Sequence, residues 1–455
     1  MFARMTLVLV LLVARTAWSQ VEPGATGGGT TTDTGGAAAQ TPDHDTQMTI
    51  PPPASGAAYP NTTTSEIQEN YLSGSVAASG GYVSNVLPSQ TATPVNDYTY
   101  AVFPTIAISR TAPRQQVTLS YTPSFIFYQP TNVLDTVDQG AALTFQDRLS
   151  RSVTFSLQDS FYRSSNVFDQ SLLFSAGAIT GSTQTPVLTV IFPFTQQLSN
   201  MANAVIGYQF GRNSMVGGGA SYSFIDFSDP AVTSGISDSN LSGGSAFYNL
   251  RLSRGRYTGV TYQYSRGISE LVNQQSETQS HSVLPYYTIY FARAFSFSIS
   301  AGVQYVEASL PKSLTSNSWS PAGVASVGWQ NNRSNLAASF SRTTSSEQGL
   351  IGAYNTYAAS LAGNWRVARS WTLGLSAYYT TTANATPELI STYAGGTMIA
   401  GQASVTHSLG EHFTATLGYE RLHQQYSSIP IISENPDSDQ GYGRIAYQFR
   451  APLRK

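Results

Sequence analysis

The chain has 455 residues, no cysteine and a formal net charge of −2 at pH 7. That excludes a disulfide framework and a thiolate metal site, and it provides no general attraction to nucleic acid. Only 11% of residues are Asp, Glu, Lys or Arg while 12% are aromatic, a composition suited to a strand wall with lipid on one side and water on the other.

Residues 1–19 read as a secretory signal peptide. Arg4 precedes the short apolar core Thr6–Val13, and Ala17-Trp18-Ser19 places small residues before a cleavage point at Gln20. The apolar run is too short to span a membrane, and no later stretch is long enough. Residues 20–70 are low-complexity, with Gly27-Gly28-Gly29-Thr30-Thr31-Thr32, Ala37-Ala38-Ala39 and Pro51-Pro52-Pro53. Such a segment cannot bury enough apolar surface to order itself, so it is expected to be a disordered periplasmic tail, with a plug as the second reading.

From Tyr71 to residue 455 the chain alternates with period two. Val117, Leu119, Tyr121, Phe125 and Phe127 alternate with Thr118, Ser120, Thr122 and Ser124, and the same pattern recurs at 295–305, 371–379 and 413–419. Successive side chains of a strand point to opposite faces, so each segment carries one apolar face and one small polar face. Strand candidates run about 11–15 residues, longer than soluble strands and sufficient for a tilted crossing.

The connections alternate short and long, the signature of short periplasmic turns and longer outer loops. Short links fall near 111–113, 150–151, 212–213, 254–255, 293–294, 332–333, 368–369 and 410–411. Long stretches are read at 129–137, 164–200, 229–242, 267–279, 310–318, 346–352, 383–395 and 427–439. The fold class is therefore all-β: a transmembrane antiparallel up-and-down barrel over residues 71–455, of about eighteen strands, within a range of sixteen to eighteen. The even count depends on a weak first strand at 71–84.

Charge follows the same polarity. Of 21 arginines, Arg110, Arg114, Arg148, Arg151, Arg212, Arg254, Arg293, Arg333, Arg366 and Arg369 border the short turns. Acids such as Asp138, Glu270, Glu277, Asp437 and Asp439 gather toward the long loops. The arginines either snorkel to headgroups or form an anion-attracting mouth. By strand phase Asn249, Arg251, Glu420 and Arg444 face the lumen, either bracing the wall or lining a path. Asp147 and Asp159 fall on the lipid-facing phase, which predicts a rim position or a bulge, because a carboxylate facing hydrocarbon is costly.

The closing segment Tyr442-Gly443-Arg444-Ile445-Ala446-Tyr447-Gln448-Phe449 resembles the C-terminal signal of bacterial outer-membrane barrels, although Arg450–Lys455 follow it. The resemblance implies that Ile445, Tyr447 and Phe449 engage the barrel assembly machinery. The body, through Leu119-Ser120-Tyr121-Thr122-Pro123-Ser124-Phe125, Tyr208-Gln209-Phe210-Gly211-Arg212 and Gly302-Val303-Gln304-Tyr305, is similar to outer-membrane β-barrel protein families. Some of these are linked to exopolysaccharide export, which implies periplasmic export components as partners. By resemblance to general porins, the long segment 164–200, with its apolar Val187, Val190, Phe192 and Phe194, folds inward as a constriction. The competing reading is an extra hairpin.

The expected function is an outer-membrane channel or export conduit for small hydrophilic or saccharide solutes. A structural or adhesive barrel is the alternative, and a barrel lipid hydrolase stands behind both. Five histidines, His44, His281, His407, His412 and His423, show no metal spacing. No catalytic residue, cofactor or nucleic acid is expected.

Overall fold

Alternation of branched or aromatic residues with Ser, Thr and Gly favours extended backbone, and lipid forces every strand edge to find a partner. The computed structural model accordingly forms one closed antiparallel sheet of eighteen strands. It describes residues 70–86, 95–165, 196–228 and 237–452, the last stretch interrupted at 254, 272–273, 292–294, 311–313, 332, 347–351, 386–394 and 427–436. The strands are β1 Tyr71–Ser84, β2 Asp97–Thr111, β3 Gln115–Gln129, β4 Thr136–Asp147, β5 Val153–Ser164 and β6 Gln197–Gln209. There follow β7 Ser214–Phe227, β8 Asp238–Ser253, β9 Arg256–Leu271, β10 Gln274–Phe291, β11 Phe295–Leu310 and β12 Leu314–Gln330. The last six are β13 Ser334–Ser346, β14 Ala353–Ala368, β15 Trp371–Asn384, β16 Gly396–Ser408, β17 Phe413–Tyr426 and β18 Asp437–Pro452. The signal-peptide and tail readings lie outside the described residues.

Each strand pairs with its neighbours in sequence, and β1 closes the ring by pairing with both β2 and β18. The closing register runs from Tyr71↔Pro452 to Ser84↔Asp439. At Gly74↔Phe449 the phenyl ring lies where a Cβ would stand, 2.2 Å from its ideal position, so glycine is what lets that ring cover the seam. Arg450 adds a cation–π contact over the Tyr71 ring at 5.2 Å.

Two stretches expected as long loops are strands instead. Only two residues separate Leu271 from Gln274, and three separate Leu310 from Leu314, so 267–279 and 310–318 belong largely to β9–β12. Above the hydrocarbon neither face must be apolar, so hydropathy alternation fades there while backbone pairing continues.

The lipid-facing side carries two aromatic belts. At the outer level Tyr264, His281, Tyr305 and Trp319 occupy one rung across β9–β12, with ring centroids 5.0, 6.5 and 5.1 Å apart in turn. The Arg266–Glu277 ion pair, at 2.7 Å, lies beyond it. At the short-turn end are Phe291–Phe295, Trp371 stacked on His407 at 4.2 Å, and Phe413–Tyr447. On β12, Trp319 and Trp329 are ten residues apart. That is about 33 Å of strand, which at a tilt of about 40° gives the roughly 25 Å apolar band of outer-membrane barrels.

Asp147 ends β4 at the short-turn rim. Asp159 corrects the expectation of a bulge: its register with Leu143 and Ala202 is unbroken, and it stays on the lipid-facing phase midway along β5. Asn200 satisfies it, Nδ2 donating to Oδ1 at 2.8 Å. Because hydrocarbon penalises a charge more than this bond returns, the double substitution Asp159→Leu with Asn200→Leu is expected to raise unfolding free energy by about 1–3 kcal/mol. Denaturant titration in phosphatidylcholine vesicles reads it; a decrease would show that this wall faces protein instead of lipid.

Candidate functional site

The inner face is the phase of Ser, Thr, Gln and Gly. It is half-exposed along β15–β18 and β2–β5, whereas Thr261, Gln263, Ser265, Ser282 and Ser298 on β9–β11 are buried. Accessible lumen therefore lies on the side of the wall that contains the closing strand.

Midway along that side, β16–β18 and β2 bring together the main charged cluster of the inner wall. Gln402 donates to Glu420 Oε1 at 2.7 Å and to the Tyr442 hydroxyl at 3.0 Å. The Arg444 guanidinium stands 4.6 Å from the Phe103 ring centroid and 5.4 Å from that of Tyr442. Tyr442 lies over Gly418, its rung partner, where a Cβ would meet the phenol. Glu420 and Arg444 are on this inner face, but the guanidinium is held between rings and forms no ion pair within 4.0 Å. Phe103, Gln402 and Tyr442 were not singled out from sequence. Their signal was available, since each lies on the polar phase of its strand.

Asn249 and Arg251 also lie on the inner phase, in a different sector, near the short-turn end of β8. Asn249 is fully buried, and a register shift between Arg251 and Ser253 marks a bulge. Residues 187, 190, 192 and 194, the expected constriction, lie outside the described residues.

At the long-loop end the inner phase is closely packed, with apolar and aromatic side chains among buried Thr344, Thr380 and Gln424. Ile225, Tyr354, Met398, Leu422 and Tyr426 are each at most 2% exposed. Two acids lie in the same zone with their oxygens occupied. Asp97 accepts from the Tyr98 and Thr131 N–H groups at 2.7 and 3.0 Å, and Asp138 accepts from Ser164 and Thr136 at 2.6 and 3.1 Å.

Another segment does fold inward. The β12–β13 ladder covers only Gly323–Gln330, and beyond it the β13–β14 tip leaves the wall. Asn331 N–H bonds Ser334 C=O at the turn, so odd-numbered β12 residues direct their backbone groups toward β13. The next such residue beyond the break is Pro321, which has no N–H to donate. Its missing partner is replaced by a side chain of β11. Thr344 N–H donates to Gln304 Oε1 at 2.9 Å, and Gln304 Nε2 donates to the Thr344 carbonyl. The Ser320 and Thr344 hydroxyls bond at 2.8 Å, and Ala353 packs on Val306 and Ala308. The tip thus lies against the inner faces of β11 and β12.

The arginines Arg110, Arg114, Arg151, Arg212, Arg333, Arg366 and Arg369 are exposed at the short-turn end and Arg148 is half-buried there; Arg254 and Arg293 lie outside the described side chains. Ile445, Tyr447 and Phe449 face outward and are exposed. His281 accepts or donates a 2.8 Å bond with Tyr262 on the lipid-facing side, and His412 contacts the Gln448 carbonyl at 3.0 Å. His423 sits 3.1 Å from Asp437, which also pairs with Arg421, an ion network without a nucleophile. Among the described residues no group of three His, Cys, Asp or Glu side chains fits a metal ion.

No family model and no curated protein matches the sequence. Among solved structures the chain is similar to OpdK of Pseudomonas aeruginosa, crystallised with vanillate, at 10% identity over 84% of this chain and 99% of that one, TM-score 0.40. It is similar to the ferric-catecholate import receptor Fiu of E. coli K12 at 8% identity over 84% and 82%, TM-score 0.42. For the FrpB iron transporter of Neisseria meningitidis the values are 10%, 79%, 64% and 0.39. The chain spans 61% of the length of the ferric citrate transporter FecA. At these values the likeness carries no argument; the closed ladder and aromatic belts of the chain itself are those of an outer-membrane barrel.

The polar latch on Thr344 has a direct test. Leaving its N–H and carbonyl without Gln304 costs about 1–3 kcal/mol, so Gln304→Ala is expected to destabilise the folded barrel by that amount and release the tip. With no native cysteine, Ser320→Cys with Thr344→Cys reports the position: the pair cross-links in the parent background and much less in Gln304→Ala.

Proposed function

We propose that this chain is an outer-membrane channel or export conduit for small hydrophilic solutes, saccharides among them. The observation that carries the reading is the chemistry of the half-exposed inner wall. It is hydroxyl- and amide-rich, and its central charged groups, Glu420 and Arg444, are of opposite sign and flanked by Phe103 and Tyr442. Hydroxyls and amides exchange hydrogen bonds with a polyol at little net cost, and aromatic faces suit sugar C–H surfaces. A ring of one charge, which would favour ions, is not what lines this region. Outward-facing Ile445, Tyr447 and Phe449 fit recognition by the assembly machinery, and periplasmic export components are the partners that a conduit would need.

A second reading is a structural or adhesive barrel. The close packing at the outer mouth, where Ile225, Tyr354 and Tyr426 are buried beside Thr344, Thr380 and Gln424, favours it, because a packed mouth resists passage.

Conductance separates the two. The refolded full chain in planar bilayers is expected to give a stable ohmic pore whose current falls when neutral oligosaccharide is added. At pH 8, Glu420→Gln is expected to move the reversal potential toward anion preference and Arg444→Gln toward cation preference. A silent, folded barrel would exclude the conduit and leave the adhesive reading.

A further inference from the structure

Three arginines of the short-turn ring share one cavity. Arg333, Arg366 and Arg369 line one cavity of about 470 Å3 together with Val367 and Ala368. They come from the β12–β13 turn, the end of β14 and the β14–β15 turn. No described carboxylate pairs with any of them. Three like charges without a counter-charge repel one another, so something must hold them together.

The backbone does so. Arg366 N–H donates to the Arg333 carbonyl at 2.7 Å. Asn331 Oδ1 accepts from the N–H groups of Arg333 and Ser334 at 2.8 and 2.7 Å and from the Ser334 hydroxyl at 2.9 Å, which fixes the turn. A register shift between Arg366 and Ala368 is a β-bulge, the device that re-aims side chains at a sheet rim. The convergence is built into the fold before any ligand arrives.

Depth points to the ligand. Trp329, Trp365 and Trp371 are lipid-facing and exposed at the ends of β12, β14 and β15, at the level of the turns that line the cavity. Tryptophan belts mark the membrane–water interface, so the cavity lies at headgroup level. The guanidinium fork matches phosphate oxygens two at a time, which an ammonium cannot do.

We propose that this cleft is a phosphate-binding site, with Arg333, Arg366 and Arg369 sharing one phosphate group. The chemistry is common to the phosphodiester of an inner-leaflet phospholipid and to free phosphate at the periplasmic mouth. The site is independent of whether the lumen conducts.

The full chain, refolded in nanodiscs of phosphatidylethanolamine and phosphatidylglycerol and then extracted in detergent, is assayed by native mass spectrometry for retained phosphatidylglycerol. The parent is compared with R333Q/R366Q/R369Q and with R110Q/R114Q/R148Q, an equal charge change elsewhere on the ring. Retention is expected to fall at least about tenfold in the first triple, given the strength of charge-assisted bonds, and to persist in the second. R333K/R366K/R369K should be intermediate, and it replaces the glutamine triple if that variant fails to show the heat-modifiable gel mobility of a folded barrel. In parallel, thermal unfolding is followed with millimolar inorganic phosphate. Stabilisation of the parent but not the cleft triple, without lipid retention, would support the site and assign it to free phosphate. Equal behaviour of the two glutamine triples in both assays would overturn the proposal and leave ordinary snorkelling.

Discussion

Hydrocarbon offers a peptide group no hydrogen-bond partner, and each unpaired N–H or C=O there costs several kcal/mol. The rest of this structure depends on that constraint. It requires β1 to meet β18, and it explains why β1 needs so little hydropathy: its task is to complete two ladders. Ser73, Gly74, Ser75, Ser79, Gly80 and Gly81 would not define a strand by side chain alone. The apolar cover is supplied from across the seam, where the Phe449 ring occupies the space above Gly74, an aromatic–glycine pairing that protects a weak strand.

The same constraint gives meaning to the place where the ladder stops. Between β12 and β13 the rung after Gly323↔Arg342 would pair Pro321 with Thr344, and proline withholds the donor. A bare end of β13 at that depth would be costly, and the fold avoids it with a carboxamide. Gln304 presents one acceptor and one donor, the same pair that a neighbouring strand offers, to the Thr344 N–H and carbonyl. The inward tip is therefore a ladder continued by a side chain. The β12 residues left along the edge, such as Asn317 and Trp319, stand level with the outer aromatic belt or beyond it, where water can satisfy them.

How much of this was legible in the sequence follows from which interactions are local. Strand phase is a property of adjacent residues, so the two faces, the short turns and the inward phase of Glu420 and Arg444 can be read along the chain. Strand ends above the membrane escape, because the selection for an apolar face ends there while backbone pairing does not; Ser276 and Thr278 of β10 are paired yet carry no hydropathic mark. Asp159 misled for a physical reason. Cost in lipid argued for a bulge, but Asn200, 41 residues away in sequence, lowers that cost by a bond no spacing rule encodes. Gln304 and Thr344 are likewise 40 residues apart, and only the departure of β13 from β12 beyond Gly323↔Arg342 brings them together.

The two ends of the barrel also differ in how their charges are compensated. At the outer end several acids are answered locally: Asp97 and Asp138 take backbone and hydroxyl donors, Glu277 pairs with Arg266, and Asp437 and Asp439 share Arg421, while Asp226, Asp238 and Glu270 lie within reach of one another's charge. At the inner end Arg110, Arg114, Arg148, Arg151 and Arg212 form no ion pair with a described residue, and the same holds for the three that line the cleft. Paired charges cancel within a few ångströms, whereas unpaired ones of one sign add up over a Debye length of about 8–10 Å. The unpaired arginines thus give the short-turn rim a positive field of its own. Arginine suits that position better than lysine because its guanidinium is less strongly hydrated and binds oxyanions as a fork, and the chain uses 21 arginines but two lysines. A solute path through this lumen would begin or end in that positive field.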